Sequence, residues 1–249
     1  MNAWTKDGHP AEHPDPWGLP GAFTTLRKFE CGHLPFRDEH LDRLLDSANR
    51  IGAKWIPSRK EISGRLDEFL ASQPESLDGL IRICLFDGIL GVSSRPALSD
   101  GNPVKGRLLE YRRPAPLAKS TAETQLYGRL NELDVATEDW ILLDPEGRDL
   151  RESATSNLIF AQGSNLLIPE KFILQGIVLN QLLPYLECEF SVTRGSPKKK
   201  ELRRFDEIIL CGTGRGVAPL TALPELGWTS RDNQVHQKAR SQYQELVQP

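Results

Sequence analysis

Between Trp140 and Leu186 the sequence leaves little choice of local structure. Trp140-Ile-Leu-Leu-Asp144 reads as a short buried strand, stopped by the turn Pro145-Glu146-Gly147. Asn157-Leu-Ile-Phe-Ala161, the turn Gln162-Gly163-Ser164 and Asn165-Leu-Leu-Ile168 read as a hairpin. From Gly176 the period lengthens, and Ile177, Leu182, Leu183 and Leu186 fall on one helical face. A fold for this chain must place three closely spaced strands beside a helix.

The rest of the pattern extends that mixture. Residues 1–20 read as irregular, and Ala22 to Arg27 as β-prone before a turn at Cys31-Gly32-His33. Leu41, Leu44, Leu45, Ala48 and Ile51 make an amphipathic helix that Gly52 ends. Ile62, Leu66, Phe69 and Leu70 make a second. Leu80 to Phe86 and Leu108 to Tyr111 read as strands, as does Glu207 to Cys211, which runs into Gly212-Thr213-Gly214-Arg215-Gly216. Residues 112–118, RRPAPLA, read as a linker, because two spaced prolines forbid a helix through them. After it Ser120 or Thr121 is placed to cap a helix carrying Leu126, Leu130 and Leu133, and a last helix carries Val235, Ala239 and Leu246. The fold class expected is α+β, or mixed α/β, with domains over 1–113 and 114–249.

Composition narrows the function. In 249 residues, 31 Lys and Arg against 34 Asp and Glu give a net charge of −3, which does not suit a nucleic-acid or anionic-membrane partner. No apolar run approaches the roughly 20 residues of a bilayer span, and the N-terminus lacks an apolar signal core. Cys31, Cys84, Cys188 and Cys211 lie far apart, as expected of reduced thiols in a cytosolic protein.

Common motifs fail. There is no phosphate-loop, zinc-protease or nucleophile-elbow pattern, and Gly212-x-Gly214-x-Gly216 lacks dinucleotide-binding spacing. His9 and His13 sit in a proline-rich tail without further ligands, so no metal is expected. Lys198-Lys-Lys200 with Arg203 and Arg204 reads as a solvated surface beside Glu201 and Asp206.

Four features survive: Arg43 in EHLDRL, Lys119 after the linker, Glu152 in LRESATSNLIF, and the glycine run after Cys211. Singly, each has a plain reading as a surface cation, a solvated lysine, a loop carboxylate or a turn. In this order they resemble the class IV aminotransferases, the fold-type IV pyridoxal-phosphate enzymes. That family includes branched-chain and D-amino-acid aminotransferases and 4-amino-4-deoxychorismate lyases. The likeness runs from about Gly21 to Leu220 and is most specific in LLDPEGRDLRESATSNLIF and LLIPEKFILQGI. There Asp144, Gly147, Glu152, Ser156, Asn157, Phe160, Ile173, Leu174, Gly176 and Ile177 match the family pattern.

The resemblance implies a two-domain architecture, with a small N-terminal α/β domain and a larger barrel-like C-terminal one, and pyridoxal 5'-phosphate as cofactor. It implies Lys119 as the catalytic lysine that holds the cofactor aldehyde and then acts as base. Glu152 would face the ring nitrogen and Leu174 would pack on the ring. Arg43, the backbone of Ile177 and Val178 at a helix start, and Thr213 would bind the phosphate. It also implies a small-molecule amine substrate and a homodimer.

Departures are visible too. The segment PDPWGLPGAFTTLR is shorter than its family counterpart, Val178 replaces a threonine, Trp140 replaces a small residue, and Ser153 follows Glu152 where glycine is usual. Phe23-Thr24-Thr25 is closer to the lyases, so the expected reaction is that of 4-amino-4-deoxychorismate lyase, releasing pyruvate and 4-aminobenzoate for folate biosynthesis. A transaminase of branched-chain or D-amino acids is the alternative, and a non-catalytic cofactor-binding relative is the third. Arg27, Arg82, Arg113 and Arg215 are unranked candidates for a substrate carboxylate.

Overall fold

A computed structural model describes residues 2–12 and 15–249, so His13 lies outside the described residues. The chain divides into two compact units. The first takes residues up to Ala97 together with Pro114–Thr124, and the second takes Leu98–Arg113 and Gln125–Gln248. Of the segment 112–118, Arg112 and Arg113 fall in the second unit and the residues from Pro114 in the first.

The first unit is a four-stranded antiparallel sheet in the order β1-β4-β3-β2, formed by β1 (Asn2–Thr5), β2 (Gly21–Lys28), β3 (Gly79–Phe86) and β4 (Ile89–Pro96). The residues before 20, read as irregular, supply β1, which pairs with β4 through Trp4↔Leu90. Helices α1 (Arg37–Arg50) and α2 (Arg59–Ala71) cover one face. Asp38 and Glu39 suit the start of α1, and Arg50 its end. Ser58 caps α2 by accepting the Glu61 N–H. The apolar stripe Leu41, Leu44, Ile62, Leu66 packs on Ala22, Leu26, Ile81 and Ile83. Each fully buried leucine there contributes about 1.5–3 kcal/mol.

The second unit holds a nine-stranded sheet. Its strands are β5 (Val104–Glu110), β6 (Glu138–Leu143), β7 (Leu150–Ser153), β8 (Asn157–Gln162), β9 (Asn165–Ile168), β10 (Ser191–Arg194), β11 (Glu207–Gly212), β12 (Gly216–Leu223) and β13 (Trp228–Thr229). The path β8-β11-β12-β5-β6-β7 closes into a barrel because β7 pairs back to β8 at Glu152↔Asn157. Its interior is filled by Ile141, Leu143, Leu158, Phe160, Leu210 and Leu220 among others. At Gly106 a Cβ would meet Ile141 at 2.9 Å, so only glycine fits that wall.

Elsewhere in this unit lie α4 (Ile177–Glu189) and α5 (Gln234–Leu246). The helix expected over Leu126–Leu133 is only a four-residue α3 (Thr124–Tyr127) followed by a 3-10 turn over Gly128–Glu132. Ser120 does not begin it. Ser120 instead makes an isolated bridge with Ala22, and its hydroxyl accepts the Ala122 N–H. No helix among the described residues is long and apolar enough to cross a membrane.

Candidate active site

Within the first unit, α1 presents His40, Arg43 and Ser47 along one face, at i, i+3 and i+7. Arg43 Nη2 donates to Thr24 Oγ1 at 3.0 Å and lies 3.4 Å from His40 Nδ1. Thr24 Oγ1 is also 3.0 Å from that nitrogen. Arginine only donates, so the arrangement is satisfied when Thr24 donates to an unprotonated Nδ1. Burial pushes the His40 pKa well below its usual value, and the charges of Arg43 and Lys119 lower it further. His40 is therefore neutral and anchors the guanidinium. One turn on, Ser47 Oγ accepts the Lys119 N–H at 3.2 Å.

Lys119 does not start a helix. The extended segment after Pro116 runs along the edge of β2, where the Lys119 carbonyl accepts the Phe23 N–H at 2.9 Å and the Gly21 carbonyl accepts the Thr121 N–H at 2.8 Å. Its Nζ stands 4.9 Å from the Phe23 ring centroid, a cation–π distance. Register places Phe23, Thr25 and Arg27 of β2 on the sheet face away from α1, beside Arg82 of β3 and Arg95 of β4.

That face ranks the candidate arginines. Arg27 is engaged by the carbonyls of Lys28 and Gly79 and by Asp78. Arg82 stacks over Trp17 at 4.9 Å and Phe23 at 5.6 Å, and its buried Nε has no hydrogen-bond partner among the described residues. Arg95 is exposed at the end of β4, and partial desolvation, followed by the like charge of Arg82, lowers its pKa. Neither Arg82 nor Arg95 makes an ion pair among the described residues. Arg95 has no sequence signal of its own, because β4 is defined by its pairing with β3.

In the second unit the barrel seam carries Glu152. Its side chain is 5% exposed, and Oε2 accepts the Leu174 N–H at 3.3 Å. Asn157, opposite it, donates Nδ2 to the Leu174 carbonyl at 2.8 Å. The two side chains together tether the Ile173-Leu174 segment to the seam. Gly176 follows as N-cap of α4 without a capping side chain, so the first N–H groups of Ile177 and Val178 have no intrahelical acceptor. Arg113 is within 3.5 Å of Glu152 and donates to Tyr127 Oη at 3.0 Å.

Thr213 lies in the tight turn from β11 to β12. Below it, Arg215 is engaged with the fully buried Asp139 at 3.4 Å, which also accepts Ser153 Oγ at 2.8 Å and Thr155 Oγ1 at 2.6 Å. Arg215 thus shapes the turn, with Nη2 donating to the Glu138 carbonyl. Burial raises the Asp139 pKa against the pull of Arg215. Trp140, the large residue of the barrel wall, sits between the guanidiniums of Arg107 and Arg129 and donates Nε1–H to the Arg129 carbonyl. Its role is packing. Lys199, Lys200 and Arg203 line an open surface hollow with Glu225, as a solvated basic surface should. Among the described residues no group of His, Cys, Asp and Glu could hold a metal ion.

The family described as amino-transferase class IV matches residues 21–223. The chain belongs to that family. It is a pyridoxal-phosphate-dependent enzyme, as class IV aminotransferases are. No curated protein matches it. Among solved structures, a branched-chain aminotransferase from Thermoproteus uzoniensis, with norvaline, aligns with a TM-score of 0.84 at 20% identity, covering 99% of this chain and 94% of its own. A putative 4-amino-4-deoxychorismate lyase from Legionella pneumophila gives 0.81 at 19% identity, covering 96% of each chain. An aminotransferase from Brucella abortus, bound to its cofactor PLP, gives 0.79 at 21%, covering 99% and 98%. At such identities these likenesses establish the fold, the fold-type IV architecture, and leave the reaction to the residues.

Proposed function

We propose that the enzyme is a 4-amino-4-deoxychorismate lyase, and that Arg43, Lys119, Glu152, Leu174, Ile177, Val178 and Thr213 hold its cofactor. The donor set fits pyridoxal phosphate. By the family pattern Lys119 would supply the amine, Glu152 the carboxylate for the ring nitrogen, Leu174 an apolar surface, and Arg43, Ile177, Val178 and Thr213 the phosphate donors; within its own unit Glu152 accepts the Leu174 N–H and the start of α4 has no capping side chain. Bound there, the cofactor withdraws the electron pair left at the substrate carbon that bears the amine.

The residues of this chain do the rest. Lys119 takes the proton from that ring carbon. Loss of the proton and cleavage of the ring C–O bond, whose electrons leave with enolpyruvate, aromatise the substrate ring, and the enolpyruvate takes up a proton, such as the one Lys119 removed, to become pyruvate. One observation carries the lyase reading: Lys119 and Arg82 flank one ring, Phe23, at 4.9 and 5.6 Å, with Arg95 on the same sheet face. Two guanidiniums that make no ion pair among the described residues suit a substrate with two carboxylates, such as aminodeoxychorismate, better than a branched-chain amino acid. A homodimer in the cytoplasm, serving folate biosynthesis, completes the proposal.

The test offers both substrates to one cofactor-loaded preparation. Release of pyruvate and a fluorescent aromatic amine from aminodeoxychorismate, with no amino transfer from leucine or D-alanine to 2-oxoglutarate, is the expected result. Efficient transfer without pyruvate release would make it a transaminase. Borohydride reduction followed by peptide mapping should find the cofactor on Lys119, and no labelled lysine would refute the site.

A further inference from the structure

Arg113 is the least expected member of the seam. Its guanidinium lies 3.5 Å from Glu152 Oε2, and the two side chains are 4% and 5% exposed. Tyr127 Oη accepts its other Nη at 3.0 Å, fixing the plane of the fork. The same Oε2 accepts the Leu174 N–H, so two donors converge on one oxygen. A carboxylate this far from water is unstable as an anion unless charge and donors stand against it.

We propose that Arg113 is a positioning residue that keeps Glu152 ionised and aimed at the cofactor's ring nitrogen, and that it does not bind substrate. The inference rests on the reading of Glu152 given above. The proton between a ring nitrogen and a carboxylate can rest on either atom. In a dry site without Arg113, the neutral pair, with the proton on Glu152 Oε, is favoured. A guanidinium next to the oxygen stabilises the carboxylate more than it disfavours the more distant ring cation. Arg113 thereby leaves the proton on nitrogen, which is the form that draws electrons. Tyr127 and Leu174 hold the geometry in which it does so.

The experiment compares wild type with Arg113→Met, Arg113→Lys and Tyr127→Phe, each checked for folding by circular dichroism. The first readout is the carboxyl 13C titration of Glu152 in the cofactor-free protein. The second is the 15N signal of ring-labelled pyridoxal phosphate in the loaded one. Arg113→Met should raise the Glu152 midpoint by about one pH unit or more and move the ring signal towards the unprotonated form. Arg113→Lys should restore most of both, and Tyr127→Phe should give a smaller shift of the same sign. If Arg113→Met fails to fold, the Lys and Phe variants carry the same comparison. An unmoved Glu152 titration with a raised substrate KM would overturn the proposal and return Arg113 to the substrate. Failure of wild type to take up pyridoxal phosphate would instead sink the site reading, because the first titration is made without cofactor.

Discussion

Gly176 lies against the side-chain amide of Asn157 so closely that a Cβ on it would meet Asn157 Oδ1 at 1.7 Å. Its φ of −78° is open to any residue, so the glycine answers to contact and not to backbone conformation. Asn157 in turn holds the Leu174 carbonyl and pairs with Glu152. One missing methyl therefore lets a barrel strand, the Leu174 segment and the start of α4 meet.

Gly176→Ala should push the Asn157 amide out and leave the buried Leu174 carbonyl without its donor. The overpacking and the lost hydrogen bond together should cost about 2–4 kcal/mol. Urea unfolding measures it, and a change under about 0.5 kcal/mol, the size of an ordinary surface substitution, would show that the contact relaxes freely.

His40 and Thr24 should matter through Arg43. His40→Ala and Thr24→Val each remove an anchor of the guanidinium and should weaken pyridoxal phosphate binding several-fold, about 1 kcal/mol. Arg43→Ala should weaken it more than tenfold, since it removes a charged donor. Equilibrium dialysis gives the three dissociation constants. Equal affinity in all three would mean that α1 does not hold the phosphate.

Acid should unfold the protein through identifiable groups. The hydrogen bond from Arg112 holds the Asp144 carboxyl well below the usual carboxylate range, helped by the Gly147 N–H and Arg151 and opposed by burial. A folded pKa below the unfolded one gives stability that is full above the unfolded value, near 3.9, and falls away as pH drops below it. His40, also depressed, loses stability earlier, as pH falls through about 6.5, because only the unfolded chain then takes the proton. Urea midpoints should decline in two stages between about pH 7 and pH 2, with His40→Gln reducing the first, to which the half-buried His236 also contributes, and Asp144→Asn reducing the second.

Thiol reactivity should split the cysteines evenly. Burial raises Cys84 and Cys211 to about 12, while Cys31 and Cys188 are exposed. At pH 8 a thiol reagent should modify Cys31 and Cys188 quickly, and Cys84 and Cys211 only on unfolding. Fast labelling of either buried cysteine in the native protein would contradict this core.

Several elements were readable directly, and for local reasons. The stripe Leu41 to Ile51, the β-prone run from Ala22 and the hairpin 157–168 carry their period in consecutive residues, and each forms as expected. The motif residues around Glu152 are legible in the same way, because they stand at short spacing in the sequence. Other features have no local signature. The strand β4, whose polar end carries Arg95, and the short β7 that closes the barrel depend on partners far along the chain. The fate of four similar arginines was open for the same reason. Asp78, Glu152 and Asp139 claim three of them, and Arg82 is left facing two aromatic rings. A charge in a sequence carries its sign but not its partner, and only folding brings the partner within reach.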